Sequence, residues 1–444
     1  MANIDVSQST QFKVKKLSIV SNGGTFDITA LFEEISFFDT ILFPAASGNI
    51  VIVDSKNLSS KIDFKSCFLR LEISKDDESD GPTIFKKTFR IYKQSNRIIK
   101  NQTTESYVLS FVSQELIESI TYSKDNTKIS AAFRGLYSDV AKIIIQDYLK
   151  TPSNKIGTIE ATKGIHEFIM PNLSPFDAMN WLARRSITKD NLPNYIFFEN
   201  KSGFNFISLT SLLKGKPVAT INFDVKNIGK PENELFGARH VTIVSQYNLI
   251  KAIKDGMYSG VHVAYDSLTQ SYIETPFDIN KITDNSNSNE NLNLSTLPNR
   301  HGLTVTQSKG SRVVVGHSSE QRQKSAYIKK NDPKTATVVD DSENYLFARK
   351  SIFANLLQKR IRITVPGNFI YSSGLNVNLK GFNLTQNDRN DTKDASTYGK
   401  YMIIAVRHTL RPDMFETIIE VASDTTNSPV IASNDAQVRE ALKE

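Results

Sequence analysis

The chain predicts an α+β fold that is mainly β, and three observations carry that expectation. Short apolar runs separated by turn signals occupy residues 1–118. Apolar residues at helical spacing take over between Leu136 and Tyr148, and again after Ser174-Pro175. A pair of strand-like runs at Phe85–Ser113 is echoed by another at Tyr398–Ser423. Together they describe two β units with an α+β unit and a loop-rich insertion between them.

In the first β unit, Phe12–Val20 alternates, with a change of register at Lys15-Lys16, and Asn22-Gly23-Gly24 marks a turn. Thr25–Phe32 reads as a second strand and Asn49–Asp54, behind Ser47-Gly48, as a third. Cys67–Ile73 is a fourth in which only Phe68 breaks alternation. An acidic loop, Asp76–Asp80, leads to Phe85–Tyr92 and Ser106–Val112, which a polar connection joins. Six such strands suit a small barrel or a sandwich.

The texture then turns helical. Leu136, Val140, Ile143, Ile144 and Tyr148 share one face. Ser174-Pro175 has the form of an N-cap followed by proline at the first helical position. The helix it starts carries Phe176, Met179, Trp181, Leu182 and Ala183, and is expected to pack beside a hairpin formed by Tyr195–Phe198 and Phe204–Leu209. Between 214 and 341 only Val241–Val244, Val261–Tyr265 and Arg312–Val315 look like strands, and Asp284–Asn293 and Ser318–Lys334 are polar tracts. Beyond them Ser342 is expected to cap a helix with Tyr345, Ala348, Ile352, Leu356 and Leu357. Ile361–Val365 is a strand stopped by Pro366-Gly367, and Leu375–Leu379 alternates. Gln386–Thr397 is a polar loop, and Tyr401–His408 and Phe415–Ser423 are the last strands. The final 20 residues are polar and expected to fray.

Composition excludes several classes. With 39% hydrophobic and 23% charged residues, 26 Phe and 15 Tyr, the chain is too apolar and aromatic for disorder. Its length suits about three domains, at about 150 residues each. Twenty glycines and 14 prolines rule out collagen-like and proline-rich sequences. No run approaches the roughly 18 apolar residues of a membrane span. Met1–Gln11 lacks the apolar core of a signal peptide, so a soluble protein made in a cytoplasm is expected. The single cysteine, Cys67, allows no intrachain disulfide and no cysteine cluster, and reads as a small buried hydrophobe. The net charge of +7 comes from scattered residues. Its densest groups, Lys13 with Lys15 and Lys16 and Lys359 with Arg360 and Arg362, are short for a nucleic-acid stripe. A solvated surface is expected there, with no sequence-specific nucleic-acid binding.

Catalytic patterns are missing. His166, His240, His262, His301, His317 and His408 are dispersed, without the spacing of a zinc motif. There is no P-loop and no GxGxxG. Gly316-His-Ser-Ser-Glu320 lacks the final glycine of a nucleophile elbow, and no clear helix follows it. Asp284–Ser295 lacks the central glycine and terminal glutamate of an EF-hand. Glu33-Glu34 and Asp76-Asp77 are carboxylate pairs, but adjacent strand residues point to opposite faces, so Glu33-Glu34 is a poor candidate for a facing pair, and a solvated surface is expected for both. No catalytic, cofactor-binding or metal-ligating residue is assigned, and no cofactor is expected.

The echo has a definite form. Phe85–Lys93 and Tyr398–Val406 are both aromatic-x-Lys strands; Glu105–Ser113 and Glu416–Ser423 are both Glu-Ser/Thr strands ending in serine. Alternation sends Phe89 and Ile91, or Met402 and Ile404, to one face, where they are expected to fill a core. Lys87 shares that parity and is expected to reach solvent from the strand's start. Thr88 and Arg90, or Ile403 and Ala405, would face outward; the second set is apolar, so that face should be covered.

Four stretches resemble the baseplate hub subunit of contractile-tailed bacteriophages, and the hub half of type VI secretion spike proteins is similar. They are Phe26–Ile35 with Ser47–Asp54, Ser174–Ser186 with the hairpin Tyr195–Leu209, Val365–Asn368 with Gly374, and Tyr401–Asp424. They follow the family's order over nearly the whole chain; Asp284–Asn293 and Gln386–Thr397 match nothing in it. The resemblance implies a structural protein of the virion tail, without enzymatic activity. It implies a homotrimer whose subunits each give two small tube-like β-barrel domains to a ring of six. Tail tube protein would stack above, a central spike or tail lysozyme protein would dock below, and baseplate wedge proteins would lie around it. The expected domains are 1–118 (first barrel), 119–213 (α+β), 214–245 with 342–425 (second barrel), 246–341 (insertion) and 426–444 (polar tail). A peptidoglycan hydrolase and a receptor-binding tail protein are the alternatives.

Overall fold

The computed structural model describes residues 12–75, 83–101, 103–123, 127–222, 237–266, 270–279, 312–317, 342–380 and 397–426, with residues 291, 292, 303, 307, 337 and 338. The chain begins with β1 (Phe12–Ser21), β2 (Gly24–Asp27), β3 (Phe32–Thr40) and β4 (Ser47–Asp54). A one-turn helix, α1 (Leu58–Lys61), precedes β5 (Phe68–Lys75), β6 (Thr83–Ile99) and β7 (Glu105–Ser113), and α2 (Gln114–Thr121) follows. The register of β1 on β5 shifts between Val14 and Lys16, at the expected place. The run expected as one strand from Thr25 to Phe32 is interrupted. Asp27 accepts the Thr29 N–H at 2.8 Å, and the Leu31 N–H closes a turn onto Ile28. The strand resumes as β3, so its central residues escaped the sequence reading. Much of the connection expected after Tyr92 is likewise strand, as β6 runs on to Ile99.

The α+β unit comprises β8 (Ala132–Gly135), α3 (Tyr137–Ile143), β9 (Ile156–Ile159), β10 (His166–Ile169), α4 (Pro175–Arg185), β11 (Tyr195–Asn200), β12 (Gly203–Ser208) and α5 (Leu209–Lys214). Helix α3 continues through Tyr148 as a π turn. Ser174 caps α4 as expected: its hydroxyl accepts the Asp177 N–H and Pro175 takes the first helical position. Phe176 packs against Phe197 and Phe204 of the hairpin, with ring centroids 5.3 and 5.5 Å away.

Next come β13 (Pro217–Asn222), β14 (His240–Ser245), α6 (Leu249–Lys254), β15 (Ser259–Asp266), β16 (Ser271–Asp278), β17 (Asn291–Leu292), β18 (Arg312–His317) and β19 (Thr337–Val338). Strands β16, β15 and β18 form a separate small sheet. Helix α7 (Ser342–Leu356) starts at Ser342 itself, so this residue is inside the helix rather than before it. The chain ends in β20 (Lys359–Pro366), β21 (Asn376–Lys380), β22 (Gly399–Arg411), β23 (Met414–Ser423) and β24 (Thr425–Thr426).

Among the described residues, thirteen strands from both ends of the chain join in one sheet. Its two halves repeat one plan. The first has the spatial order β3-β4-β7-β6-β5-β1, the second β14-β20-β23-β22-β21-β13, with β2 an extra edge on the first. The chain visits corresponding places in the same succession in both. Neighbours are antiparallel throughout, except that β13 lies parallel to β21 where β1 is antiparallel to β5. Even a bulge recurs: β6 slips on β7 after Ile91, and β22 slips on β23 after Ile403. At that point the Ile91 N–H donates to Cys67 O (3.1 Å) and the Ile403 N–H to Leu375 O (2.8 Å).

Each half has its own core. Leu17, Ile35, Phe37, Ile50, Leu71, Phe89, Ile91 and Phe111 fill the first; Ile221, Ile361, Val377, Tyr401, Ile403, Ile419 and Val421 fill the second. This corrects the parity expected for β22. Tyr401 and Ile403 point into the core, and Met402 and Ile404 point outward, where Phe198, Leu209, Leu213 and Leu356 cover them. The recurring bulge equates Ile91 with Ile403, one residue off the sequence echo. The halves meet where β3 pairs with the C-terminal part of β22, from Thr40 opposite Ala405 to Ile35 opposite Leu410. Leu410, Phe415 and Phe369 from the second half complete the first core.

Candidate functional site

The residues weighed for chemistry remain dispersed. Glu33 is exposed, whereas Glu34 turns the other way to accept from Ser36, Arg407 and Arg411. Gly316 and His317 end β18 opposite Tyr265 and Asp266. Ser318–Glu320, Asp76-Asp77, His301 and most of Asp284–Ser295 lie outside the described residues. His166, His262 and His408 are buried and His240 is exposed. Among the described residues, no three His, Cys, Asp or Glu side chains are placed to hold a metal ion, and no helix is long and apolar enough to cross a membrane. Cys67 is buried as expected; its thiol donates to Asp63 O at 3.2 Å, and burial raises its pKa. The cluster Lys359, Arg360 and Arg362 is not simply solvated. Lys359 is buried over the Tyr401 ring, and both arginines reach Glu420 at 3.2 Å.

Sequence reasoning missed a buried polar junction where the two sheet halves meet the hairpin β11–β12. Glu199, at the hairpin's tip, accepts from the Ala46 N–H (2.8 Å), the Ser113 hydroxyl and the Lys87 ammonium (3.0 Å). Lys87 therefore ends in an ion pair with a buried carboxylate rather than in solvent, and it also donates to Asn200 O. The next hairpin residues reach the second half: the Asn200 side chain donates to Ser373 O (3.1 Å) and the Lys201 N–H to the Ser372 hydroxyl (3.2 Å). Asp39 of β3 closes the circuit, accepting from the Ser372 hydroxyl (2.8 Å) and the Ser373 N–H (3.2 Å). Burial pushes the Asp39 carboxyl up to about 6, against the pull of these donors and of Lys87. His408 stands nearby on β22, opposite Phe37, with Nδ1 2.9 Å from the Thr417 hydroxyl and its ring beside Phe369. Burial lowers its pKa to about 3, so it is neutral. A charged residue directly after the apolar run Tyr195–Phe198 was the available signal for Glu199; it read as part of a turn.

Two of the strand edges left open among the described residues occupy corresponding places in the two halves' plan relative to the β3–β22 contact. Strand β14 pairs only with β20, and β6 beyond Ile91 pairs only with β7. Both edges carry exposed apolar side chains: Ile243 and Val244 on β14, and Tyr92, Ile98 and Ile99 on β6.

No protein-family model and no curated protein matches the chain. Solved structures do match it. A tail protein from Neisseria meningitidis MC58 is 13% identical and superposes over 92% of this chain and 96% of its own, with a TM-score of 0.50. The 43 kDa tail protein of prophage MuSo2 from Shewanella oneidensis is 7% identical and covers 93% and 99%, with a TM-score of 0.51. The chain has a phage tail protein's fold. At such low identity, what is shared is the strand arrangement, not side chains. The hub-like architecture expected from the sequence accords with it.

Proposed function

We propose that the protein is a structural subunit of a phage-tail baseplate hub, with three copies forming a pseudo-six-fold ring that joins the tail tube to the central spike. The observation that carries this reading is the repeated sheet. A chain with two copies of one strand plan can present six similar units from three subunits, so a trimer gives a ring of six. Closed rings are the ordinary outcome of such head-to-tail contacts. The units would be 1–118 and 214–245 with 342–425, with 119–213 as the α+β domain, 246–341 as an insertion and 426–444 as a tail. Helix α2 crosses the first of these boundaries. In this reading the tube protein stacks on one face of the ring, the spike or tail lysozyme protein docks on the other, and baseplate wedge proteins surround it in the virion.

The mass in solution tests this reading. Three copies of 49.8 kDa give a particle of about 150 kDa; a chain that stays monomeric at all concentrations, alone and with a spike protein, overturns it. The subunit is proposed to be non-enzymatic. Reproducible clearing of peptidoglycan or turnover of an ester substrate, abolished by one point substitution, would contradict that.

A further inference from the structure

We propose that strand β14 of one copy pairs antiparallel with the outer edge of β6, residues 93–99, of a second copy, reproducing between chains the contact that β3 makes with β22 within one chain. The inference rests on the ring reading above and names the edges that build the ring.

The repeated plan assigns partners. β3 and β14 occupy the same place, and so do β6 and β22. Inside the chain the edge of β3 is covered by β22 beyond its bulge. The corresponding edge β14 and the corresponding stretch of β6 beyond its bulge are both open among the described residues. By the repeated plan each is the kind of edge that the other lacks, and the two do not pair with each other within the chain.

The register can be transferred. Through their shared neighbours, Ile35, Ser36 and Phe37 of β3 correspond to Val241, Thr242 and Ile243 of β14. Likewise Thr409 and Leu410 of β22 correspond to Ile98 and Ile99 of β6. Ser36 opposes Thr409 and Ile35 opposes Leu410 within the chain. Between chains Thr242 should therefore oppose Ile98, and Val241 should oppose Ile99. The side chains suit that pairing. Ile98 is 59% and Ile99 72% exposed, and Ile243 is 45% exposed, whereas Ile35 and Phe37 at the covered edge are 0% and 2% exposed. Open apolar strand edges are an aggregation hazard unless a partner covers them. A contact between different edges is head-to-tail, so it propagates around a ring instead of closing as a two-fold dimer.

Cysteine pairs test the contact, since directly opposed Cβ atoms lie within about 5 Å and can be bridged. The probes are the full-length single variants Thr242→Cys and Ile98→Cys and the double variant, oxidised and run without reductant. The expected result is that neither single variant cross-links by itself, that their mixture gives a two-chain product, and that the double variant gives a covalent three-chain product. Reduction should return all of them to one chain. Cross-linking of Thr242→Cys alone would mean that two β14 edges meet, which overturns the proposal. An oligomer of the expected mass with no cross-link in mixture or double variant overturns the edge pairing and leaves the ring standing. A monomer at every concentration, without cross-links, overturns both.

Discussion

The two halves of the sheet share a strand plan but are fastened to the hairpin β11–β12 by different chemistry. The first half meets it through Glu199, Lys87 and the hydrogen-bonded groups around them. The second meets it through hydrogen bonds of Asn200 and Lys201 to Ser373 and Ser372, without an ion pair among the described residues, and through an apolar patch in which Met402, Ile404 and Ala422 pack with Phe198, Leu209, Leu213 and Leu356. One plan is thus compatible with two interfaces, because strand order depends on backbone pairing while attachment depends on which residues the outer face carries. The cores differ in the same way. Gly48 and Ile361 occupy corresponding places, opposite Phe111 and Val421, so one half fills with an aromatic ring a space that the other fills with an aliphatic side chain.

The contrast predicts a ranked set of losses, each read as a shift of the urea midpoint monitored by Trp181. Glu199→Ala should have the largest effect, about 4 kcal/mol, because it removes the counter-ion of the half-buried Lys87 ammonium and leaves the Ala46 N–H without its acceptor. Met402→Ala should cost about 3 kcal/mol as an ordinary cavity. If the two costs prove equal at every pH, the distinction between an ionic and an apolar attachment is wrong.

Gly48→Ala should also cost about 3 kcal/mol. A Cβ there would lie 2.3 Å from the Phe111 ring and 2.4 Å from the Ser36 carbonyl oxygen, and the latter is backbone that cannot swing away. At the corresponding Ile361 a side chain is already accommodated. Phe111→Val, the residue type of the second half, should recover only the part of the loss due to the ring and leave the clash with the Ser36 carbonyl; a neutral Gly48→Ala would break the comparison.

The seam between the halves should respond to pH through two groups of opposite sign. Folded, His408 stays neutral down to about pH 3, whereas unfolded it takes a proton near 6.5. Its contribution is present above 6.5 and is lost as pH falls toward 3. Asp39 keeps its proton up to about pH 6 when folded but only to 3.8 when unfolded. Its contribution is present at low pH and is lost as pH rises from 3.8 through 6. His408→Gln should therefore flatten the acid limb of the stability profile, and Asp39→Asn should steepen it. Parallel changes in the two variants would refute the assignment.

The smallest effect is outside the sheet. Ser174→Ala should cost about 1 kcal/mol, since one capped N–H at the start of α4 returns to water. It should leave the midpoint differences between sheet variants unchanged.

Local features were legible in the residues themselves. Ser174-Pro175 announced α4, the alternation of Phe12–Val20 announced β1 with its bulge, and the hairpin echo announced a repeated sheet. These are short-range effects: capping geometry, side-chain periodicity and turn chemistry act over a few residues. What required the tertiary structure was the choice of face and partner. Met402 and Tyr401 are both apolar, so periodicity could not say which one enters the core; the bulge after Ile403 and the helices outside decided it. Glu199 and Lys87 are 112 positions apart and had no reason to be read together. Strand β3, hidden by an interrupted run, turned out to join the halves. Long-range pairing of this kind is decided by which edges and faces remain uncovered once the local elements have formed, and a single sequence does not contain that information in any short window.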